Sequence, residues 1–357
     1  MRKLFRKSAV VGLAVVVAGV AVAVAAGATG STRANVLVCG LMPDTKTSTR
    51  WEQKDKPALV KAFKAAGVPA RVVNAQGDAQ KQKTQADQCI ADGAKVLIIA
   101  PIDSGSAAAI QKAALKQGVK SIDYDRQVEG GVAVLYASFD GHTVGVMQAK
   151  GVIAGLKANG MYGKKPVVAS LWGGKEDANA FLFKGGVDSV LNPLYKNGTF
   201  VKGPQQFVPG WNNQTAATIF QQMLVRTSNK IDAVAAANDG IAGAVVATLK
   251  AAKLDPIPLS GQDATIEGVQ NIISGWQTES PWKDQRALAA ATAKAAIAIA
   301  KGQKPPSTGY VTTKGRPKEL AYLISPIQLT KANWKRVITS GYYKKSEICN
   351  GEFAKYC

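Results

Sequence analysis

The sequence contains little histidine, little cysteine and few charged residues for its length. A single histidine in 357 residues excludes a metal site built from several histidines and leaves room for at most one Ser-His or Cys-His catalytic pair. The four cysteines form no C-x-x-C motif, so zinc and thioredoxin chemistry have no support. With no G-x-x-x-x-G-K-S/T or G-x-G-x-x-G motif, neither nucleotide hydrolysis nor dinucleotide binding is expected. The sequence therefore predicts neither a metal nor a cofactor.

The overall composition is typical of a globular protein. Residues are 46% hydrophobic and 19% charged, which is too apolar for disorder, and the length fits two domains. A formal net charge of +21 would suit an anionic partner. The basic residues are nevertheless spread along the whole chain, so nucleic acid is not the expected partner.

The densest basic cluster stands at the N-terminus, directly before an apolar stretch at 9–28. It consists of Arg2, Lys3, Arg6 and Lys7. This order predicts a secretory signal peptide at 1–34, which places the rest of the chain in the periplasm or outside the cell. Because about twenty apolar residues can also cross a bilayer, an uncleaved membrane anchor is the alternative.

Cysteines in an exported chain are free to pair. Cys349 and Cys357 flank the short stretch NGEFAKY, and a disulfide between them is expected. Cys39 lies in the first apolar run and Cys89 in a predicted helix. For this second pair a bridge and two buried thiols are both open.

Short runs rich in Val and Ile alternate with amphipathic stretches after residue 35. The runs include NVLVCGL at 35, KVLIIAP at 95, PVVASLW at 166 and PIPLSGQ at 256, and the stretches between them resemble PALVKAFKAAG, with apolar residues at helical spacing. Nearly continuous apolar strands between helices predict a parallel sheet covered on both faces. The fold class is therefore α/β, of the doubly wound kind.

The alternation continues further than one sheet normally holds, which predicts two Rossmann-like lobes with parallel central sheets. The first lobe is expected to take 35–138 plus about 283–318. The second is expected to take 139–282 plus about 319–340, followed by a C-terminal tail at 341–357. Because the late segments return to both lobes, the lobes are expected to be joined by a multi-strand hinge.

In open α/β sheets the ligand site lies beyond the carboxyl ends of the strands. Residues just after the predicted strands include Asp239, Gln262 and Trp282, and they also include Arg50, Trp51, Asp125, Arg126, Asp177, Asn179, Trp211, Asn238, Asp263 and Lys283. Carboxylates, amides and cations bind sugar hydroxyls, which both donate and accept, while tryptophan faces cover the apolar C–H faces of a sugar ring. The set therefore suits a small polyhydroxylated ligand.

Several residues of the same types have ordinary structural interpretations. Asp44 and Asp239 are expected to be helix caps, and His142 is expected to be a surface residue at a helix start. Three tryptophans are assigned to the core: Trp172, Trp276 and Trp334.

The sequence resembles the periplasmic D-xylose-binding proteins of the type I substrate-binding fold, which are receptors of sugar ABC transporters. The resemblance extends over nearly all of the chain after the leader. It is carried by TSTRWEQKD, IDYDR, YASFDGHTVGVMQAK, DANAFLFKGG, SNKIDAVAAANDGIAGA and SGQDA.

The resemblance implies that a neutral monosaccharide is held between two hinged lobes, with no chemistry and no cofactor. The implied contacts are ten of the strand-end residues: Arg50, Trp51, Asp125, Arg126, Asp177, Asn179, Trp211, Asn238, Asp263 and Lys283. Trp51 and Trp211 are expected on either side of the sugar ring. The implied partners are an ABC permease and its ATPase subunit, and the expected state is a monomer. Two segments depart from the family pattern, SPWKD around Lys283 and FDG at 139–141, and the stretch at 155–165 is an addition.

Three other functions remain as alternatives. A binding protein of this kind can serve a chemotaxis or signalling receptor as a sugar sensor. Sugar-responsive repressors resemble the same fold but need a helix-turn-helix module of about sixty residues where the leader stands here. An enzyme could use Asp125 and Asp263 as a carboxylate pair, but both are expected beside cations that favour ionisation.

Overall fold

The computed structural model describes residues 36–45 and 48–357. The predicted signal peptide at 1–34 lies outside the described residues. Within the described part of the chain, no helix combines the length and apolar character needed to cross a membrane.

Twelve strands form three sheets among the described residues. The strands are β1 (Leu37–Met42), β2 (Ala70–Asn74), β3 (Ala94–Ile99), β4 (Lys120–Tyr124), β5 (Leu135–Phe139), β6 (Val167–Trp172), β7 (Val201–Phe207), β8 (Ala233–Ala236), β9 (Glu279–Trp282), β10 (Gly309–Thr313), β11 (Arg316–Ile324) and β12 (Ile327–Thr330).

Helices separate most of these strands. They are α1 (Lys56–Ala65), α2 (Ala79–Ala91), α3 (Ser104–Lys116), α4 (Gly141–Ala158), α5 (Ala178–Lys196), α6 (Asn213–Arg226), α7 (Asp239–Ala251), α8 (Ile266–Ser274), α9 (Gln285–Ala300), α10 (Arg336–Thr339) and α11 (Lys345–Ile348), with short helical turns at Trp51–Asp55, Pro209–Trp211 and Gly351–Tyr356. From α2 to α9, each helix begins after an Asp, Asn or Thr whose side chain accepts a backbone N–H.

The first lobe is built on a seven-stranded sheet in the order β10-β11-β5-β4-β3-β1-β2. All neighbours are parallel except the β10–β11 hairpin. Alternate residues of β1 face opposite layers: Val38 packs towards α1 and α9, while Cys39 packs towards α2 and α3. Both faces are buried, which explains the unbroken apolar run in the sequence.

The second lobe contains a parallel three-stranded sheet in the order β7-β6-β8. Helices α6 and α7 cover one face, and α4 and α5 cover the other. The prediction of a further strand at PIPLSGQ is wrong, because this stretch makes a single isolated bridge between Leu259 and Val234. Pro256 and Pro258 have no N–H to offer a ladder.

Edge strand β7 escaped prediction because its sequence, VKGPQQF, is polar and contains a proline. The register of β7 against β6 shifts between Val168 and Ser170, opposite the segment that holds Gly203 and Pro204. A proline is tolerated at such an edge position because one side of the strand needs no partner.

Three crossings join the lobes: β5 to α4, β9 to α9, and β11 to β12. The middle and last crossings are tied together, because β9 pairs antiparallel with β12. The predicted lobe boundary near residue 318 differs from the structure, since it falls inside β11. The whole of β11 lies in the first sheet, where Ala321 pairs with Tyr136. The chain therefore returns to the second lobe only at β12.

The final segment packs on the second lobe. Trp334, Tyr342 and Ile348 are buried in one cluster with Ile272 of α8 and Trp282 of β9. Trp172 and Trp334 are core residues as expected, Trp276 is partly buried against the second-lobe core, and His142 is exposed near the start of α4.

Two disulfides are present. Cys349–Cys357 closes the end of the chain, and Cys39–Cys89 joins β1 to α2. Of the two possibilities left open for Cys39 and Cys89, the structure has the bridge. Each disulfide lies within one lobe, so neither restrains the hinge.

The disulfides should differ in their contribution to stability. Loops of 50 and 8 residues are closed, and loop-closure entropy gives about 4 and about 2.5 kcal/mol respectively. Replacing both cysteines of each pair by alanine should therefore lower the free energy of unfolding more for Cys39–Cys89. Urea titration of the two double variants measures this, and equal losses would contradict the loop-length account.

Candidate ligand-binding site

A small cavity lies between the two lobes, at the carboxyl ends of their strands. All ten residues singled out from the sequence lie on its wall. The lining consists of Ser48, Arg50, Trp51, Asp125, Arg126, Asp177, Asn179, Phe183, Trp211, Asn238, Gln262, Asp263 and Lys283.

Arg50 links both sides of this cavity. Its Nε and Nη2 atoms donate to the two carboxylate oxygens of Asp55 at 2.8 and 2.9 Å. Nη2 is also 2.9 Å from Oδ2 of Asp125, and Nη1 is 3.5 Å from Oδ1 of Asp263 in the second lobe. A single guanidinium thus holds three carboxylates from two lobes.

The charges of this cluster support one another. Burial alone would lower the pKa of Arg50, but Asp125 and Asp55 raise it well above its ordinary value. Burial alone would likewise raise the pKa of Asp125, but Arg50, Lys283 and Arg126 outweigh that effect and lower it. Both groups are therefore charged at neutral pH.

Lys283 enters the cavity from the middle hinge crossing. Its Nζ is 3.1 Å from Oδ1 of Asp263 and 3.8 Å from Oδ2 of Asp125, so it bridges the same two lobes as Arg50. The departure from the family pattern in SPWKD leaves the lysine on the cavity wall. The neighbouring Trp282 lies elsewhere, with its ring 5.2 Å from that of Tyr342 in the second-lobe core.

A second ion pair spans the cleft between Arg126 and Asp177. The distance from Nε to Oδ2 is 2.9 Å, and Nη1 of Arg126 also donates to the carbonyl oxygen of Pro101 at 3.1 Å. Burial raises the pKa of Asp177, and Arg126 opposes the rise. The pair contributes a fixed cation and a fixed acceptor to the wall.

Two cavity residues are helix caps as well. Oδ1 of Asp177 accepts the backbone N–H of Asn179 at the start of α5, while Oδ2 faces Arg126. Oδ1 of Asn238 accepts the N–H of Ile241 at the start of α7. Capping fixes the orientation of each side chain, so its second polar atom is held towards the cavity.

Asp239 is not the cap that the sequence suggested, because Asn238 takes that position. It is buried behind the cavity and accepts the N–H of Gln262, the Nε2–H of Gln277 and the Oγ–H of Ser280 at 2.8 to 3.0 Å. These bonds tie the loop that carries Gln262 to hinge strand β9.

The aromatic side chains are held by close packing. The Arg50 guanidinium lies 4.4 Å from the ring centre of Trp51, and the ring of Phe183 meets Trp211 edge-on at 6.3 Å. Trp211 also requires a glycine beside it, because a Cβ at Gly173 would fall 2.0 Å from the indole. The indoles are therefore fixed in place.

Three residues of the wall have backbone conformations that are rare for side chains other than glycine. The φ angles are +63° at Asp125, +55° at Trp211 and +94° at Asp263. Such conformations cost on the order of 1–3 kcal/mol and persist where the surroundings over-determine them, typically at functional sites.

Several buried polar atoms on the wall have no hydrogen-bond partner within the protein. They are Nε1 of Trp51, Nε1 of Trp211, Oε1 of Gln262 and Oδ2 of Asp125, which meets Arg50 as an ion pair only. Buried polar groups are normally paired, so these two donors and two acceptors are available to hydrogen-bond a ligand. Among residues 36–45 and 48–357, no cluster of His, Cys, Asp or Glu is arranged to hold a metal ion.

Sequence reasoning missed three residues of the site, and it placed a fourth, Gln262, at a strand end without carrying it into the list of contacts. Phe183 lies in α5 within DANAFLFKGG, and Ser48 precedes Arg50. Gln262 stands beside Asp263 in SGQDA but was given no contact. Asp55 is buried directly behind Arg50. Its position five residues after Arg50 in RWEQKD does not predict a salt bridge between the two.

A deep cleft between two α/β lobes, lined by ion-paired side chains and aromatic rings, defines a two-lobed solute-binding protein. The sequence model of the periplasmic binding protein domain family matches residues 39–304 of this chain. The chain belongs to this family, and the predicted fold class is confirmed.

Similar proteins match most of the chain. The D-xylose-binding periplasmic protein of Escherichia coli (strain K12) is 33% identical over 314 residues, which are 87% of this chain and 92% of that protein. The multiple sugar-binding periplasmic receptor ChvE of Rhizobium radiobacter is 33% identical over 326 residues, 87% and 91% of the two chains. The resemblance found from the sequence is thereby confirmed.

A similar solved structure is an ABC transporter solute-binding protein from Clostridium phytofermentans with bound β-D-glucose. It is 30% identical with a TM-score of 0.81, and the match covers 87% of this chain and 99% of that one. The fold and the relatives are those of solute-binding proteins rather than enzymes.

Breaking the Asp55–Arg50 pair should destabilise the protein. In Asp55→Asn, an amide N–H would face the guanidinium inside the core, and we expect the free energy of unfolding to fall by about 3 kcal/mol. Asp87→Asn is the control, because Asp87 pairs with Lys83 on the surface and its loss should change stability by less than about 1 kcal/mol. Urea unfolding measures both, and equal effects would contradict a structural role for Asp55.

Proposed function

We propose that this chain binds a monosaccharide, an aldose such as D-xylose, in the interlobe cavity. The observation that carries the proposal is the composition of the wall, where five cation–carboxylate contacts lie beside buried aromatic rings. A neutral sugar suits a wall whose cations and anions are already paired with one another.

Each part of the wall has a role in this proposal. Asp125, Asp177 and Asp263 accept hydrogen bonds from sugar hydroxyls. The cations Arg50, Arg126 and Lys283 donate to the hydroxyl oxygens, and the amides of Asn179 and Asn238 contribute further bonds. Trp51 and Trp211 flank the sugar ring.

The relatives support an aldose and leave the sugar to be measured. Those from Escherichia coli and Haemophilus influenzae are named for D-xylose, and those from Azospirillum brasilense and Rhizobium radiobacter for multiple sugars. Two structures at 30% identity hold D-glucose. D-xylose and D-glucose are therefore the first candidates.

In the proposed mechanism, the sugar meets one lobe of an open cleft and is then enclosed by the other as the hinge closes. The closed form is delivered as a monomer to the permease of an ABC importer, whose ATPase subunit supplies the energy. A signal peptide exports the chain to the periplasm. The cleft discriminates between sugars through its buried polar groups. A wrong sugar that leaves one of them unpaired binds less favourably by about 1–3 kcal/mol.

Calorimetric titration of residues 35–357 tests the proposal. Tight one-to-one binding is expected for at least one of D-xylose, D-glucose, L-arabinose, D-ribose and D-galactose. Xylose alone would establish a dedicated receptor, and several sugars would establish a multiple-sugar receptor. If no sugar gives heat, the proposed function is wrong.

Asp263→Asn should weaken binding of that sugar strongly. The substitution removes an ionised acceptor and leaves Arg50 and Lys283 without their second-lobe carboxylate. Loss of a charged, buried hydrogen bond predicts a Kd about 10- to 100-fold higher. Asp188→Asn on the outer face of α5 is the control and should leave Kd unchanged. A Kd within twofold of the original protein for Asp263→Asn would remove Asp263 from the site.

A further inference from the structure

The C-terminal segment, defined here as residues 331–357, is anchored on the second lobe. Its buried side chains join the cluster of α8 and β9, and Gln270 of α8 donates through Nε2 to the carbonyl oxygen of Ile348 at 3.1 Å. The Cys349–Cys357 disulfide closes the end of the segment, with both cysteines packed on the same cluster. The segment therefore moves with the second lobe.

The same segment also touches the first lobe. Lys54, in the helical turn that precedes α1, donates through Nζ to the carbonyl oxygen of Tyr342 at 2.9 Å. That Nζ is 4.6 and 4.0 Å from the ring centres of Tyr342 and Tyr343. One half-buried lysine of the first lobe is thus enclosed by two aromatic rings of the second.

A second set of contacts reaches α9, which packs with α1 in the first lobe. The hydroxyl of Tyr342 donates to Oε1 of Gln285, and Nη1 of Arg286 donates to the carbonyl oxygen of Ser340 at 2.9 Å. The Arg286 guanidinium is 5.3 Å from the ring centre of Tyr342. Tyr342 is therefore bound by two separate first-lobe elements.

These contacts fall next to the cavity without entering it. Lys54 directly precedes Asp55, the partner of Arg50, and Gln285 comes two residues after Lys283. The C-terminal segment thus contacts the two stretches of chain that carry the cations Arg50 and Lys283.

We propose that the C-terminal segment is an interlobe latch, in which Tyr342 and Tyr343 hold Lys54 when the lobes are together and so stabilise the closed form. Lys54 and Tyr342 are positioning residues that never touch the ligand. The effect on sugar binding rests on the proposed function, whereas the effect on the lobes does not. A cation on an aromatic face and one hydrogen bond, each lost on opening, predict a three- to tenfold change in the opening equilibrium.

The first test needs no sugar. Spin labels at Gln80→Cys in α2 and Gln221→Cys in α6, exposed positions on opposite lobes, report the interlobe distance by pulsed electron resonance. Lys54→Met should shift the distances towards longer values, and Lys54→Arg, which keeps the charge and the donor, should restore them. Lys61→Met is the matched control, because Lys61 is an exposed lysine of α1. Identical distributions for Lys54→Met and the original protein would overturn the latch.

The second test measures sugar release. Stopped-flow tryptophan fluorescence with D-xylose should show a dissociation rate three- to tenfold faster in Lys54→Met, with no change in Lys61→Met. A purely structural role would lower the melting temperature and leave this rate unchanged, which would overturn the latch. If the original protein does not bind D-xylose, the proposed sugar is wrong, and the distance measurement still decides the latch.

Discussion

The arrangement of the cavity depends on the Arg50 guanidinium, which is shared by carboxylates of both lobes. Asp55 fixes its position from behind, and Asp125 and Asp263 meet it from opposite sides of the cleft. Charges this deeply buried are tolerated only when each is paired, so no member of the cluster can turn away without leaving another uncompensated. The lobes therefore come together in one register, and that register places the remaining side chains around the cavity.

Around this centre, side chains that build the fold also build the site. Asp177 and Asn238 cap helices with one polar atom and face the cavity with the other. Asp125 and Trp211 are aimed by left-handed backbone that the surrounding packing enforces. Such a residue is thus both a helix cap and part of the cavity wall, and the cap orients its side chain.

The sequence was sufficient for the parallel core and for ten of the residues that line the interlobe cavity. Strands buried on both faces, such as β1 and β3, have nearly unbroken apolar sequences, and the residues that follow parallel strands lie at one edge of the sheet. Prediction from the sequence failed where tertiary contacts, and not the local pattern, decide the structure. Edge strand β7 is polar, and the stretch at 256–259 contains prolines and forms no strand. The lobe to which β11 belongs is decided by its pairing with β5. Asp55 and Phe183 were missed because burial behind or beside a cation leaves no mark on sequence spacing.

The discontinuity of the first lobe has a consequence for the order of folding. The sheet of the second lobe is contained in 167–236, but the first lobe needs β10 and β11 from the far end of the chain, and α9 to cover its face. A chain that emerges N-terminus first can therefore form the three-stranded sheet of the second lobe while the first sheet still lacks β10 and β11. The Cys39–Cys89 bridge lies wholly within the early part and can hold β1 against α2 during that interval. Of these two sheets, the one that begins the chain is thus the last to gain all its strands.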